Sequence, residues 1–122
     1  MTPMPEVRFV DKMETGQFAR QGDLYLVKIE AVPQGLKKTS NRQLSPGVTQ
    51  GSRHTVGYGA TIYEGTGQIE RNGLGYMLKG PVIESDTHAL IEHPEHAHIS
   101  LPPGVYQVCY QVDVRMMRRV ED

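Results

Sequence analysis

Between Gly104 and Met117 the chain alternates with period two for longer than anywhere else. Tyr106, Val108, Tyr110, Val112, Val114 and Met116 are apolar, and Gln107, Cys109, Gln111, Asp113 and Arg115 stand between them. A strand sends successive side chains to opposite faces, so the pattern predicts one long strand over 104–117 with a buried face and a wetter one. Just upstream, Ala97, Ile99 and Leu101 alternate with His96, His98 and Ser100 in the same way. Pro102-Pro103-Gly104 between the two runs has turn chemistry, because proline presets φ and glycine accepts positive φ. The expectation is a β-hairpin with Leu101 facing Tyr106, Ile99 facing Val108 and Ala97 facing Tyr110. A slip of one residue would mix the faces, which sheets with one buried face resist. This register also sets His98 across from Cys109 and His96 across from Gln111, with opposed Cβ atoms about 4.5–5.5 Å apart.

The rest of the chain suits the same class. Thirteen glycines and eight prolines are spread over 122 residues, which points to short strands joined by turns. Asp23-Leu24-Tyr25-Leu26-Val27-Lys28-Ile29-Glu30 is apolar on both faces at its centre, the pattern of a central strand covered on both sides. Val7–Val10 reads as a short strand, Asp11–Gln17 as one helical turn, and Leu36–Leu44, with Lys37, Lys38 and Arg42, as an exposed edge or loop. His54, Val56 and Tyr58 fall on one face of a further strand. Between Gly57 and Gly80 the glycines predict tight hairpins, and Arg71-Asn72-Gly73 carries an Asn-Gly turn signal. Val82-Ile83 and Ala89-Leu90-Ile91 read as two more short strands. The sequence thus predicts one all-β domain over 1–122, with a proline-rich N-terminal arm at about 1–6. Its architecture is a small barrel or two-sheet sandwich of about seven to ten strands with a long C-terminal strand.

Charge narrows the partners. The net charge is −1 and the basic clusters Lys37, Lys38, Arg42 and Arg115, Arg118, Arg119 lack interleaved aromatics, so the expected partner is protein rather than nucleic acid. No run approaches the ~20 apolar residues of a membrane helix. A single cysteine excludes an internal disulfide framework and suits a cytoplasmic setting. No third glycine follows Gly57-Tyr58-Gly59 in the dinucleotide pattern, and there is no phosphate-loop motif.

Histidine carries what chemistry there is. His88, His93, His96 and His98 fall within eleven residues. His96 and His98, two apart on a strand, project from one face, and Cys109 or His54 would complete a three-ligand set for a transition metal such as zinc. Pro94 excludes a helical zincin motif. The plainer reading is a row of half-exposed sheet histidines beside Glu92 and Glu95. Ser52 or Ser100 with a histidine and Asp113 would supply the members of a hydrolytic triad, but triads are defined by geometry rather than by composition. Cys109, mid-strand, reads as a small buried side chain rather than a nucleophile.

Arg20-Gln21-Gly22-Asp23-Leu24, then Gly51-x-x-His54, then His93-x-x-His96 ahead of Leu101-Pro102-Pro103-Gly104-Val105-Tyr106 together resemble a family of small uncharacterised bacterial and phage-borne proteins. Members open with an R-Q-G-D-V strand, carry G-H-x-H midway and close with H-x-x-H before an L-P-x-G-x-Y strand. Ser52 stands where the first mid-chain histidine would be, and Gln111-Val112-Asp113-Val114 departs from the family's last strand. Both departures weaken a metal or catalytic role built on paired histidines. The resemblance implies a β-rich fold and adds a phage particle to the cytoplasm as an expected location. The function expected is a non-enzymatic module, without cofactor, that self-associates or decorates a larger assembly. The alternative is a small metal-dependent enzyme or metal-binding protein using His54, His96, His98 and Cys109.

Overall fold

The computed structural model describes residues 6–44, 54–57, 59–113 and 118–119. They form two packed β-sheets and no helix; the turn at Glu14–Gln17 replaces the expected helical turn. Four strands make the smaller sheet in the order β1 (Val7–Phe9), β10 (His98–Leu101), β9 (Ala89–Glu92), β5 (Thr55–Val56). The larger sheet runs β2 (Phe18–Gln21), β3 (Leu24–Ile29), β11 (Gly104–Asp113), β8 (Gly75–Ser85), β6 (Thr61–Tyr63), β4 (Lys38–Thr39). In it β7 (Ile69–Asn72) also pairs with β8, and β12 (Arg118–Arg119) with β11. The sheets do not close into a barrel; the fold is the two-sheet sandwich.

The expected hairpin is not formed. β10 pairs with β9 and, in parallel, with β1, whereas β11 pairs with β3 and β8. Leu101 is therefore opposite Ala89, Ile99 opposite Ile91, and Tyr106 between Lys28 and Ile83. Pro102-Pro103 is a crossover from one sheet to the other, held by the Tyr106 hydroxyl, which donates to the Pro102 carbonyl at 2.5 Å. Both runs keep the faces that their alternation demands. Ile99 and Leu101 meet Tyr106, Val108 and Tyr110 across the sandwich, through side chains rather than along a backbone ladder.

Within β11 Tyr106, Val108 and Tyr110 enter this main core, together with Leu24, Leu26, Ile62, Ile83 and Ile91. The odd-numbered side is not wet either. Cys109 packs with Tyr25 and Met77 in a second apolar cluster on the outer face of the large sheet. β3 is an interior strand, buried on both faces over Leu24–Leu26 and only partly buried over Val27–Ile29. The longest strand among the described residues is β8, with 11 residues against 10 for β11; residues 114–117 lie outside the described part. Val82-Ile83 is the far half of β8 rather than a separate strand. A proline interrupts this interior strand at Pro81, and the β8–β11 register shifts there, between Gln107 and Cys109. The missing proline donor makes a bulge the place where a sheet tolerates it. Gln107 fills the irregularity, its Nε2 donating to the Gly80, Pro81 and Val108 carbonyls at 2.7, 3.3 and 2.9 Å. In the β7–β8 hairpin Asn72 pairs with Gly75, so the turn lies one residue later than the Asn-Gly signal suggests. Asn72 Oδ1 accepts the Leu74 N–H at 2.8 Å, and Gly75 takes the positive φ of 103°.

Candidate functional site

The R-Q-G-D segment spans the β2–β3 turn, and each residue has a structural task. Gly22, with φ at 60°, makes the turn; Arg20 Nε donates to the Gly22 carbonyl at 2.7 Å while its guanidinium lies 5.2 Å from the centre of the Tyr25 ring. Gln21 and Asp23, both buried, point into the gap between the sheets. Gln21 Nε2 donates to the Ile91 and Ala97 carbonyls at 3.0 and 2.9 Å, tying the edge of the large sheet to the small one.

Those two bonds orient the Gln21 Oε1 atom toward His54 Nδ1, 2.9 Å away. An amide oxygen only accepts, so Nδ1 carries hydrogen. On the other side His54 Nε2 lies 3.0 Å from Asp23 Oδ1. One proton bridges that contact, as imidazolium facing carboxylate or as carboxylic acid facing imidazole. His54 has no solvent exposure and Asp23 has 1%. Both ring nitrogens of His54 are thus engaged inside the fold, and using it as a metal ligand would require breaking one of these bonds.

His93, also buried, packs against His54 with ring centroids 4.5 Å apart and planes tilted by 53°, and His96 packs against His93 at 4.3 Å and 42°. His93 Nδ1 accepts the backbone N–H groups of Glu95 and His96 at 2.9 and 3.1 Å, closing the turn that begins at Pro94. The neutral imidazole here does what an Asx side chain does in other turns. The ordered pile His96–His93–His54–Asp23 runs from the half-buried turn into the interior.

The predicted ligand set is only partly gathered. His54 and His96 flank His93; His98 lies on β10 opposite Val7 of β1. Cys109, expected across from His98, pairs instead with Tyr25 and Lys79 in the large sheet, in the outer cluster. Burial pushes its thiol up to about 11, with Lys79 pulling partly the other way, so Cys109 is a thiol rather than a thiolate. Among the described residues no three His, Cys, Asp or Glu side chains are arranged to hold a metal ion. Ser52, one of the triad candidates, lies outside the described residues. Ser100 is buried in β10, paired with Leu90 and Phe9. Sequence reasoning missed Gln21, Asp23 and His93 as members of the cluster. The available signal was Asp23 entering an apolar strand, where a carboxylate needs a buried partner.

The second feature is the outer face of the large sheet. Tyr25, Val27 and Ile29 of β3, Met77 of β8 and Cys109 of β11 form an apolar stripe that continues to the exposed Phe18, whose ring centroid is 5.5 Å from that of Tyr25. A groove of about 350 Å³ opens along it between Val27, Ile29, Pro33, Met77 and Cys109. Its rim carries the Lys79–Glu70 ion pair at 2.9 Å. A family model described as a domain of unknown function (DUF8820) matches residues 20–111. No curated protein and no solved structure matches the chain.

Proposed function

This chain belongs to the DUF8820 family, and we propose that it is a non-enzymatic interaction module, which self-associates or decorates a larger assembly such as a phage particle. The observation that carries the reading is the apolar groove on the outer face of the large sheet. Two-sheet sandwiches bury the faces they turn toward each other and wet the outer ones. Here the outer side carries the buried Tyr25, Met77 and Cys109, and the partly buried Val27 and Ile29 line the open groove beside them. Contiguous apolar surface rimmed by charge marks association sites. The histidine cluster supports the same reading from the other side: the nitrogens of His54 and Nδ1 of His93 serve the fold's own hydrogen bonds.

Size-exclusion chromatography with light scattering tests this. The protein is expected to form an oligomer at tens of micromolar, and Val27→Lys with Ile29→Lys to dissociate it without loss of the strand signal in circular dichroism. A second reading, a metal-binding protein using His96 with its neighbours, draws on the close ring contacts of His54, His93 and His96. A monomer that carries stoichiometric metal, purified without an affinity tag, would replace the first reading by the second.

A further inference from the structure

We infer that the free edge of β2 is a docking site for an extended acidic peptide segment, added as an extra strand to the large sheet. The inference rests on the reading of the chain as an interaction module but uses a different surface from the outer-face groove.

β2 ends the large sheet: among the described residues it pairs with β3 alone. The Lys28 N–H donates to the Gln17 carbonyl at 2.9 Å, which sets the phase of the ladder. In an antiparallel pair alternate residues bond the partner strand, so the N–H and C=O groups of Phe18 and Arg20 turn outward. Exposed edges are usually blunted by an inward charge, a proline or a bulge. β2 reads Phe-Ala-Arg-Gln without proline, and its four residues pair regularly with β3 once past the bulge at Gly16 and Gln17, which both bond Lys28.

Beside this edge runs the segment that crosses from β1 to the large sheet. Together they enclose a groove of about 560 Å³, lined by Arg8, Val10, Lys12, Met13, Phe18 and Ala19. Arg8, Val10 and Lys12 are alternate residues of an extended stretch and share one side of it. Phe9 and Asp11, of opposite phase, are absent from the lining, as are Glu6 and Glu14. The wall facing the edge is therefore cationic with an apolar centre. Among the described residues the ion pairs are His54–Asp23 and Lys79–Glu70, and neither Arg8 nor Lys12 takes part in one. The half-exposed Phe18 ring forms the lip. An extended peptide with carboxylates at alternate positions and apolar residues between them meets each part of this groove. Its backbone satisfies Phe18 and Arg20, its carboxylates face Arg8 and Lys12, and its apolar side chains enter over Val10, Met13 and Ala19. Strand addition of this kind draws affinity from main-chain bonds and specificity from alternate side chains.

The test is fluorescence polarisation with a labelled hexapeptide of alternating valine and glutamate, beside its valine–lysine counterpart and a single-stranded oligonucleotide. The acidic peptide is expected to bind in a salt-sensitive manner and to shift the amide resonances of Phe18 and Arg20. Reversing both cations, Arg8→Glu with Lys12→Glu, should weaken it about tenfold or more, and Ile69→Lys, at an exposed position of β7, should leave it unchanged. Both reversals fall on exposed side chains, and a circular dichroism melt verifies the fold. Binding that ignores the reversals, resonance shifts elsewhere, preference for the oligonucleotide, or no binding at all would each overturn the proposal. A protein that oligomerises through the outer face yet ignores the acidic peptide would lose only this inference and keep the function proposed above.

Discussion

At the scale of single residues, the buried polar network Gln21–His54–Asp23 is the most sensitive point of the molecule. Each member satisfies the next, and each is buried, so removing one strands the others away from water. Asp23→Ala should destabilise the fold by about 3–5 kcal/mol, the usual cost of breaking a buried charged pair, measured as a shift in the urea midpoint. The double variant Asp23→Ala with His54→Ala should cost less than the sum of the singles; strict additivity would mean that the two side chains do not act as a unit. Cys109 and Tyr106 supply a test in pH. Burial raises the thiol from 9.0 to about 11 and the phenol from 10.0 to about 12. In both cases the folded chain holds its proton after the unfolded chain has released it. Stability is therefore complete below about pH 9 and falls as pH rises through about 11 and then 12. Cys109→Ala should remove the first part of that decline, and Cys109 should react with thiol reagents much more slowly in the folded protein than in urea.

At the scale of elements, β8 and β11 meet where backbone space is smallest. A Cβ on Gly80 would lie 2.7 Å from the Tyr110 ring, and one on Gly65 would lie 2.3 Å from the Gly80 backbone. The Tyr110 hydroxyl in turn donates to the Leu44 carbonyl, fixing the ring against the glycine. Gly80→Ala must push the ring off that carbonyl, and we expect a loss of about 1–3 kcal/mol as for other overpacked sites, visible as a lower melting temperature. Tyr110→Phe removes the hydroxyl while leaving the ring, and should recover part of the loss in combination with Gly80→Ala. An unchanged melting temperature for Gly80→Ala would show that the bulge at Pro81 absorbs the extra methyl.

At the scale of the whole molecule, a polar tie and an apolar core hold the sandwich together. The core lies between Leu24, Leu26, Tyr106, Val108 of one sheet and Ile91, Ile99, Leu101 of the other. Gln21 ties the edges, reaching from β2 to carbonyls 70 and 76 residues away in sequence. Two surfaces remain unused by this packing, the outer-face groove and the β2 edge, and they face different directions of assembly. The first suits a partner that presents apolar side chains, and the second one that presents an acidic strand. Together they make the association reading specific enough to be tested one surface at a time.

The alternation of apolar and polar residues determined by itself that this chain is all-β, which residues of β10 and β11 face inward, and that β3 is buried on both faces over Leu24–Leu26. Those properties belong to the strand, because side-chain direction follows from backbone geometry alone. Which strand lies beside which was decided by tertiary structure. Ile99 and Leu101 satisfy their apolar faces equally well beside Tyr106 in a hairpin or opposite it across a sandwich, so face matching does not distinguish the two. The same reason separates the histidines. His93 and His96 stand near each other in the chain, but Gln21, Asp23 and His54 join them through contacts spanning 31 and more residues, and local pattern holds no record of contacts at that range. Cys109 went to the other face of the large sheet because β11 passed from the small sheet to the large one at Pro102-Pro103, a choice made by the whole core rather than by the turn.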